Sequence, residues 1–448
     1  MSFKSRIGIK IVSAVLCTAL LFSLGGCKGI TDFTSDSFLQ PPKPSGDMYF
    51  IQQALEESVE QRFTLKYPTA GQYRSAYILA DLVGSGKTEF ALAFYSVLSE
   101  ENVVSMHLNL MKQIDEKWIS ISDVSVSATG VEKVLLNDLN GDGISEIIVG
   151  WNIYGGVDKR VAVYSLKGGS LIPLIQESYT DIICCDLDES GRDKLFVLSH
   201  NIAEGTAAAK LYAFEKEKVV AGGSCLIDGN VSSFYEPIVT RLSNGKPAVF
   251  VDAVKGTGTQ TEIFFIKEKT LSRVSFTVNG SDTLATYRNN AVLCSDVNND
   301  GKYDIPITDS ALGFVPKGES LSLAGLVKWS SFDGNNFTIS MVAATNYSDG
   351  YYLEIPARWF GKTTVETDVE YRMYTVSVWD TEENIKIGEL FKLRTVTDVE
   401  WDKENNGLEA YTEVSRNGSL VYVAALGNYS GIEKTGFDEI SSLIRIIG

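Results

Sequence analysis

Nine residues, Asp138-Leu139-Asn140-Gly141-Asp142-Gly143-Ile144-Ser145-Glu146, constrain this chain more than any other stretch. Side-chain oxygens fall at positions 1, 3, 5 and 9, glycine at position 6, and the Ile144 carbonyl at position 7 can add a further donor. A hard cation such as Ca²⁺ takes six to eight oxygens, and a short acidic loop can wrap one. Gly143 supplies the backbone freedom of the sharp turn. Residues 131–136 and 147–151 are rich in β-branched and apolar side chains, so the loop joins two strands. An EF-hand is excluded, because Val149 stands where its bidentate Glu belongs and a strand follows in place of a helix. The other reading of the same residues is a metal-free Asn/Asp/Gly turn.

The pattern recurs. Asp296-Val297-Asn298-Asn299-Asp300-Gly301-Lys302-Tyr303-Asp304 repeats it in full. Residues 186–194 keep positions 1, 3 and 6 but carry Lys194 at position 9, whose ammonium takes a cation's place. Residues 81–89 keep Asp81, Gly84, Gly86 and Glu89 and lack the oxygens at 3 and 5. Two complete loops and two eroded ones, opening at Asp81, Asp138, Asp186 and Asp296 with the last interval about twice the others, indicate a repeat architecture.

Five units of strand, loop, strand and two further strands fit residues 71–127, 128–178, 179–231, 232–280 and 281–345. The fourth replaces the acidic loop with Ser243-Asn244-Gly245-Lys246. Four strands per unit of about 50 residues is the plan of a propeller blade. The loops resemble the FG-GAP and VCBS-type repeats of integrin-α-like β-propellers, over residues 71–345 and most specifically at 138–146 and 296–304. The resemblance implies a mainly β fold, a propeller of five to six four-stranded blades, with a sixth completed by residues 47–70 or by the C-terminal region. It implies two structural Ca²⁺ sites. One is formed by Asp138, Asn140, Asp142, Glu146 and the Ile144 carbonyl, the other by Asp296, Asn298, Asp300, Asp304 and the Lys302 carbonyl.

Residues 346–448 alternate like strands and close on an amphipathic run from Phe437 to Ile447, which predicts a small C-terminal α+β domain. At the other end, Lys4, Arg6 and Lys10 precede an apolar segment, Ile11 to Leu24, too short for a comfortable membrane span. It ends on Leu24-Gly25-Gly26-Cys27, which resembles the lipobox of bacterial lipoproteins; the resemblance implies export, cleavage and lipidation of Cys27. Residues 28–46, with Pro41, Pro42 and Pro44, read as a tether ahead of the propeller at 47–345. The formal charge is −17, and removal of residues 1–26 makes it three units more negative. Such a surface repels phosphate backbones, so nucleic acid is excluded as a partner.

Other motifs point nowhere further. Gly84-Ser85-Gly86-Lys87-Thr88 ends like a phosphate loop, but Asp81 sits where the first glycine belongs. The Ser-x-x-Lys spelling at 243–246 lies in a turn and not at a helix start. Only His107 and His200 are present and neither falls in a recognisable motif, so histidine catalysis is not expected. Cys184, Cys185, Cys225 and Cys294 read as small buried apolar residues, with disulfides left open. Aromatics from Tyr351 to Trp401 suit either a domain core or a sugar platform. The expected function is a membrane-anchored, non-catalytic binding protein for a protein or glycan, stiffened by Ca²⁺. The alternatives are an extracellular hydrolase or lyase acting on polysaccharide or lipid, and an envelope assembly or sensing subunit.

Overall fold

A computed structural model describes residues 46–447 apart from 100–102, 154–157, 216–217, 275–285, 290, 309–311, 319 and 404–406. Helix α1 (Asp47–Ser58) opens the described chain, and six antiparallel sheets follow. The first holds β1 (Phe63–Leu65) and β2 (Tyr77–Ala80), both paired to β3 (Phe90–Leu98), then β4 (Val104–Ile114) and β5 (Lys117–Val126). The second is the meander β6 (Gly130–Asn137), β7 (Glu146–Asn152), β8 (Lys159–Lys167) and β9 (Ser170–Ser178). The third repeats it with β10 (Asp181–Cys185), β11 (Lys194–Asn201), β12 (Thr206–Glu215) and β13 (Lys218–Ile227). The fourth holds β14 (Ser233–Phe234), β15 (Ile238–Arg241), β16 (Pro247–Lys255), β17 (Gly258–Lys267) and β18 (Thr270–Arg273).

The fifth sheet runs β19 (Ile305–Thr308), β20 (Leu326–Phe332), β21 (Phe337–Asn346) and β22 (Tyr351–Glu354). The sixth holds β23 (Thr363–Asp368), β24 (Met373–Asp380), β25 (Ile385–Thr397), β26 (Thr412–Asn417) and β27 (Leu420–Leu426). Helix α2 (Asp398–Trp401) lies between β25 and β26. Helix α3 (Phe437–Leu443) stops where β28 (Ile444–Ile446) pairs with β22, so the C-terminus completes the fifth sheet. Strand β21 runs through residue 345, and Val342 and Ala344 share one core with Tyr351, Val376 and Phe391.

The sheets stack face to face in chain order. Phe94, Leu108 and Leu110 of the first meet Ile147, Val149 and Trp151 of the second. Ile148 and Val163 of the second meet Leu195 and Val197 of the third. Phe196 meets Val251 and Phe264 of the fourth, and Phe250 meets Ile305 and Phe332 of the fifth. Strands such as β3 and β7 are therefore buried on both faces, which explains their unbroken apolar runs.

The mainly β expectation holds, but the closed propeller does not. Among the described residues no core joins the sixth sheet to the first, and no strand from either terminus bridges them. The outer face of the first sheet is instead covered by α1, whose Ile51, Ala54 and Leu55 pack on Ala91, Ala93, Met111 and Trp118. The spacing of those three puts them on one helix face. Ile51 and Leu55 are fully buried, contributing about 2 kcal/mol each. A ring would need that face for its last blade.

Candidate functional site

The acidic loops lie where the sequence places them, between β6 and β7 and just before β19, but most of their acidic side chains are engaged by the loop's own amides. Asp138 accepts the backbone N–H groups of Gly141 (2.7 Å), Asp142 (3.2 Å) and Gly143 (2.9 Å). Asn140 turns its amide nitrogen toward Glu146 (2.8 Å) and Asp142 (3.2 Å), presenting a donor where a cation needs an acceptor. Glu146 is fully buried and accepts the N–H of Leu139 at 2.9 Å. Burial, then the charges of Asp142 and Asp138, push its carboxyl up to about 7. Ile144 donates its N–H to Asp142 at 2.8 Å.

The second loop is built the same way. Asp296 accepts from Asp300 (3.1 Å) and Gly301 (2.9 Å), Asn298 accepts from Asp300 (3.0 Å), and Asp300 accepts the N–H of Lys302 (2.9 Å). Asp304 accepts the Ser340 hydroxyl at 2.5 Å, and burial raises its carboxyl. Asp81 and Asp186 take the same two amide contacts, at the fourth and fifth residues beyond each. Lys194 reaches Asp188 and Ser190, an internal cation. Among the described residues no group of three or more His, Cys, Asp or Glu side chains is placed to hold a metal ion. The expectation of two Ca²⁺ sites at Asp138, Asn140, Asp142, Ile144 and Glu146, and at Asp296, Asn298, Asp300, Lys302 and Asp304, is therefore corrected. The recurrent acidic residue works as a loop cap, its carboxylate satisfied by backbone amides.

The remaining motifs resolve locally. The amides of Ser85 and Gly86 are taken by Asp81, which leaves no phosphate cradle there. His200 Nε2 donates to the Gly229 carbonyl at 3.2 Å, and its ring lies edge-on to Phe234. The four cysteines are free thiols. Tyr351, Trp359, Tyr374 and Trp379 are core residues. Cys27 and the export segment lie outside the described residues.

His107 is different. In β4 the polar residues Ser105, His107 and Asn109 alternate with buried Met106, Leu108 and Leu110, which face the second sheet. The polar set points to the outer face, at the end α1 leaves uncovered. Ser105 Oγ lies 3.0 Å from His107 Nε2, and His107 Nδ1 lies 2.6 Å from Asp123 Oδ1. The other oxygen of Asp123 accepts from Asn109 Nδ2 at 2.9 Å and from the Tyr95 hydroxyl. The Tyr95 ring stacks on the imidazole, with centroids 4.8 Å apart and planes at 17°. The side chains of His107 and Asp123 are 17% and 33% exposed, so the line of bonds is shielded yet reachable.

A β-bulge makes this geometry. The β4–β5 hairpin turns at Asp115 and Glu116, both with positive φ, the backbone of a two-residue hairpin loop. From Ile114↔Lys117 to Met111↔Ser120 the pairing is regular. That register would set Asp123 opposite Leu108, on the buried face. The irregularity between Leu110 and Met111 inserts one residue in β5, so Asn109 faces Asp123 and His107 faces Ser125.

Electrostatics fix the proton positions. Burial acts to raise the Asp123 carboxyl, but hydrogen bonds from His107, Tyr95 and Asn109 outweigh it and hold the group below its usual range. An ionised carboxylate only accepts, so Nδ1 carries a proton, and in the neutral imidazole Nε2 offers its lone pair to the Ser105 hydroxyl. Burial, followed by the bond to Asp123, raises Tyr95 and keeps it a donor. A serine, an acceptor imidazole and an orienting carboxylate within bonding distance can carry out nucleophilic attack on an acyl carbon.

No family model matches the chain, and no curated protein matches it in sequence. Among solved structures it is similar to the rhamnogalacturonan lyase YesW, at 13% identity over 73% of this chain and 76% of that one, TM-score 0.30. A Bacillus licheniformis rhamnogalacturonan lyase gives 13% identity over the same shares and a TM-score of 0.32. The exo-type rhamnogalacturonan lyase YesX gives 10% over 82% of this chain and 91% of that one, TM-score 0.28. At these values the likeness assigns no residue a role. The FG-GAP and VCBS resemblance and the non-catalytic binding module inferred from it are not upheld, because the ring and the metal cluster they required are both missing among the described residues.

Proposed function

We propose that this chain is an extracytoplasmic hydrolase of carboxylic esters, with Ser105 as nucleophile and His107 as general base. The observation that carries the reading is the unbroken line from Ser105 Oγ through His107 to Asp123. In the first step Ser105 Oγ attacks the ester carbonyl while Nε2 takes the hydroxyl proton; that proton then goes to the departing alkoxide, leaving an acyl-serine. Water, deprotonated by the same nitrogen, attacks the acyl-serine and releases the carboxylic acid, returning the proton to Ser105. Asp123 is a positioning residue: it holds the tautomer and stabilises the imidazolium. Tyr95 and Asn109 in turn hold Asp123. The export pattern of residues 1–27, with Cys27 as the lipid-bearing residue, supports work outside the cytoplasm, held at the membrane.

Turnover of p-nitrophenyl acetate by the purified chain tests the reading. The wild type is expected to release nitrophenol catalytically, and Ser105→Ala to lower kcat by about 10³-fold or more with an unchanged circular dichroism spectrum. Equal turnover in wild type and Ser105→Ala would refute it.

A further inference from the structure

A cleft of about 360 Å³ opens between α1 and β1, lined by Gln52, Glu56, Gln61, Arg62, Phe63 and Leu65. Its place relative to the serine follows from strand register. Phe63 pairs with Val97, and Val97 pairs with Ser105. Cross-strand partners share a face, so Phe63 and Ser105 stand on the same outer face two strands apart, about 10 Å between Cα atoms. Leu65 pairs with Tyr95, which pairs with His107, so the cleft floor and the relay are neighbouring columns of one surface. The Phe63 ring closes edge-on to Tyr95 at 5.3 Å, joining the two regions physically.

The lining chooses the ligand. Phe63 and Leu65 form an apolar floor, while two amides, a carboxylate and a guanidinium stand over it, offering donors and acceptors together. Gln52 Nε2 donates to Glu56 Oε1 at 2.7 Å, which orders part of that rim before anything binds. An acyl chain entering here would leave the polar rim unpaired, at a cost for each group it desolvates. A sugar ring has an apolar face for Phe63 and hydroxyls for the rim, and the volume lies in the range of small-ligand sites.

We infer that this cleft is the leaving-group subsite and takes a saccharide, so that the ester cleaved at Ser105 is one borne by a sugar hydroxyl. The inference rests on the acyl-transfer reading for the reaction, but the saccharide binding it names can be measured without turnover. In the test, the full chain, Gln52→Ala/Arg62→Ala and Ser105→Ala are compared on O-acetylated xylo-oligosaccharides and on p-nitrophenyl acetate. The wild type should prefer the acetylated saccharide by tenfold or more in kcat/KM. Gln52→Ala/Arg62→Ala should reduce that preference at least tenfold, chiefly through KM. Calorimetric titration of Ser105→Ala with the same saccharide should show binding, lost when Gln52→Ala and Arg62→Ala are added.

Turnover of the aryl ester with no saccharide preference would overturn the subsite and leave the hydrolase reading standing, as would a preference for long-chain acyl esters. Binding that depends on Gln52 and Arg62 without any turnover would keep the saccharide site and remove the hydrolase. Neither binding nor turnover overturns both.

Discussion

The Asp138 loop and the outer face of the first sheet present opposite relations between signal and chemistry. The loop is dense in carboxylates within nine residues, yet each finds a backbone amide, an asparagine or a buried position of its own. The sheet face assembles its polar groups from three strands, Tyr95 on β3, Ser105 and His107 on β4, and Asp123 on β5, and leaves a serine within bonding distance of an imidazole nitrogen. Donor density within a segment therefore says little about reactivity. What matters is whether the groups satisfy one another, and that is decided by turn geometry in the loop and by register in the sheet.

The largest effect that could break this comparison lies in the relay. Removing the base with His107→Ala should lower kcat for ester hydrolysis about 10³-fold or more, and a variant still active at the wild-type rate would show the face to be inert. Asp123→Asn keeps the shape but can donate to Nδ1, which favours the wrong tautomer. It should cost about 10³- to 10⁴-fold in kcat with little change in KM.

The loop should respond to pH and not to chemistry. Glu146 has a folded pKa near 7 against an ordinary value of 4.5, so it is raised. The stability linked to it is fully present below about 4.5 and is lost as pH rises through 7, by roughly 3 kcal/mol at most. Glu146→Gln should abolish that loss, so urea unfolding at pH 5 and pH 8 should differ less in the variant than in the wild type. An equal difference in both proteins would place the titration elsewhere. The smallest expected effect sharpens the contrast further: Ca²⁺ or EDTA should move Tm by less than about 1 °C, since a ligand bound only by the folded state would raise it. A clear rise with Ca²⁺ would return the loops to metal chemistry.

Much of the construction is legible in the sequence. The β-branched and apolar flanks of residues 138–146 do become paired strands, and so do the residues either side of 186–194. The ring was not legible, because the same strand runs suit a closed series or an open stack. The choice depends on α1 occupying the outer face of the first sheet. At the C-terminus the helix that starts at Phe437 ends at Leu443, and Ile444-Arg445-Ile446 pairs with β22 in place of a continued helix. The Ser105–His107 spacing of two places both on one face, but it matches no recognisable motif, and the sequence alone argued against histidine catalysis. Asp123 was not legible, because the regular hairpin register puts it on the opposite face and a one-residue bulge brings it back.

Covalent capture is the most direct test of the nucleophilic role proposed for Ser105. The full chain treated with a fluorophosphonate should gain one phosphonyl group by intact mass, mapped to the peptide holding Ser105 and absent from Ser105→Ala. A wild-type chain of unchanged mass, or a label retained in Ser105→Ala, would contradict it.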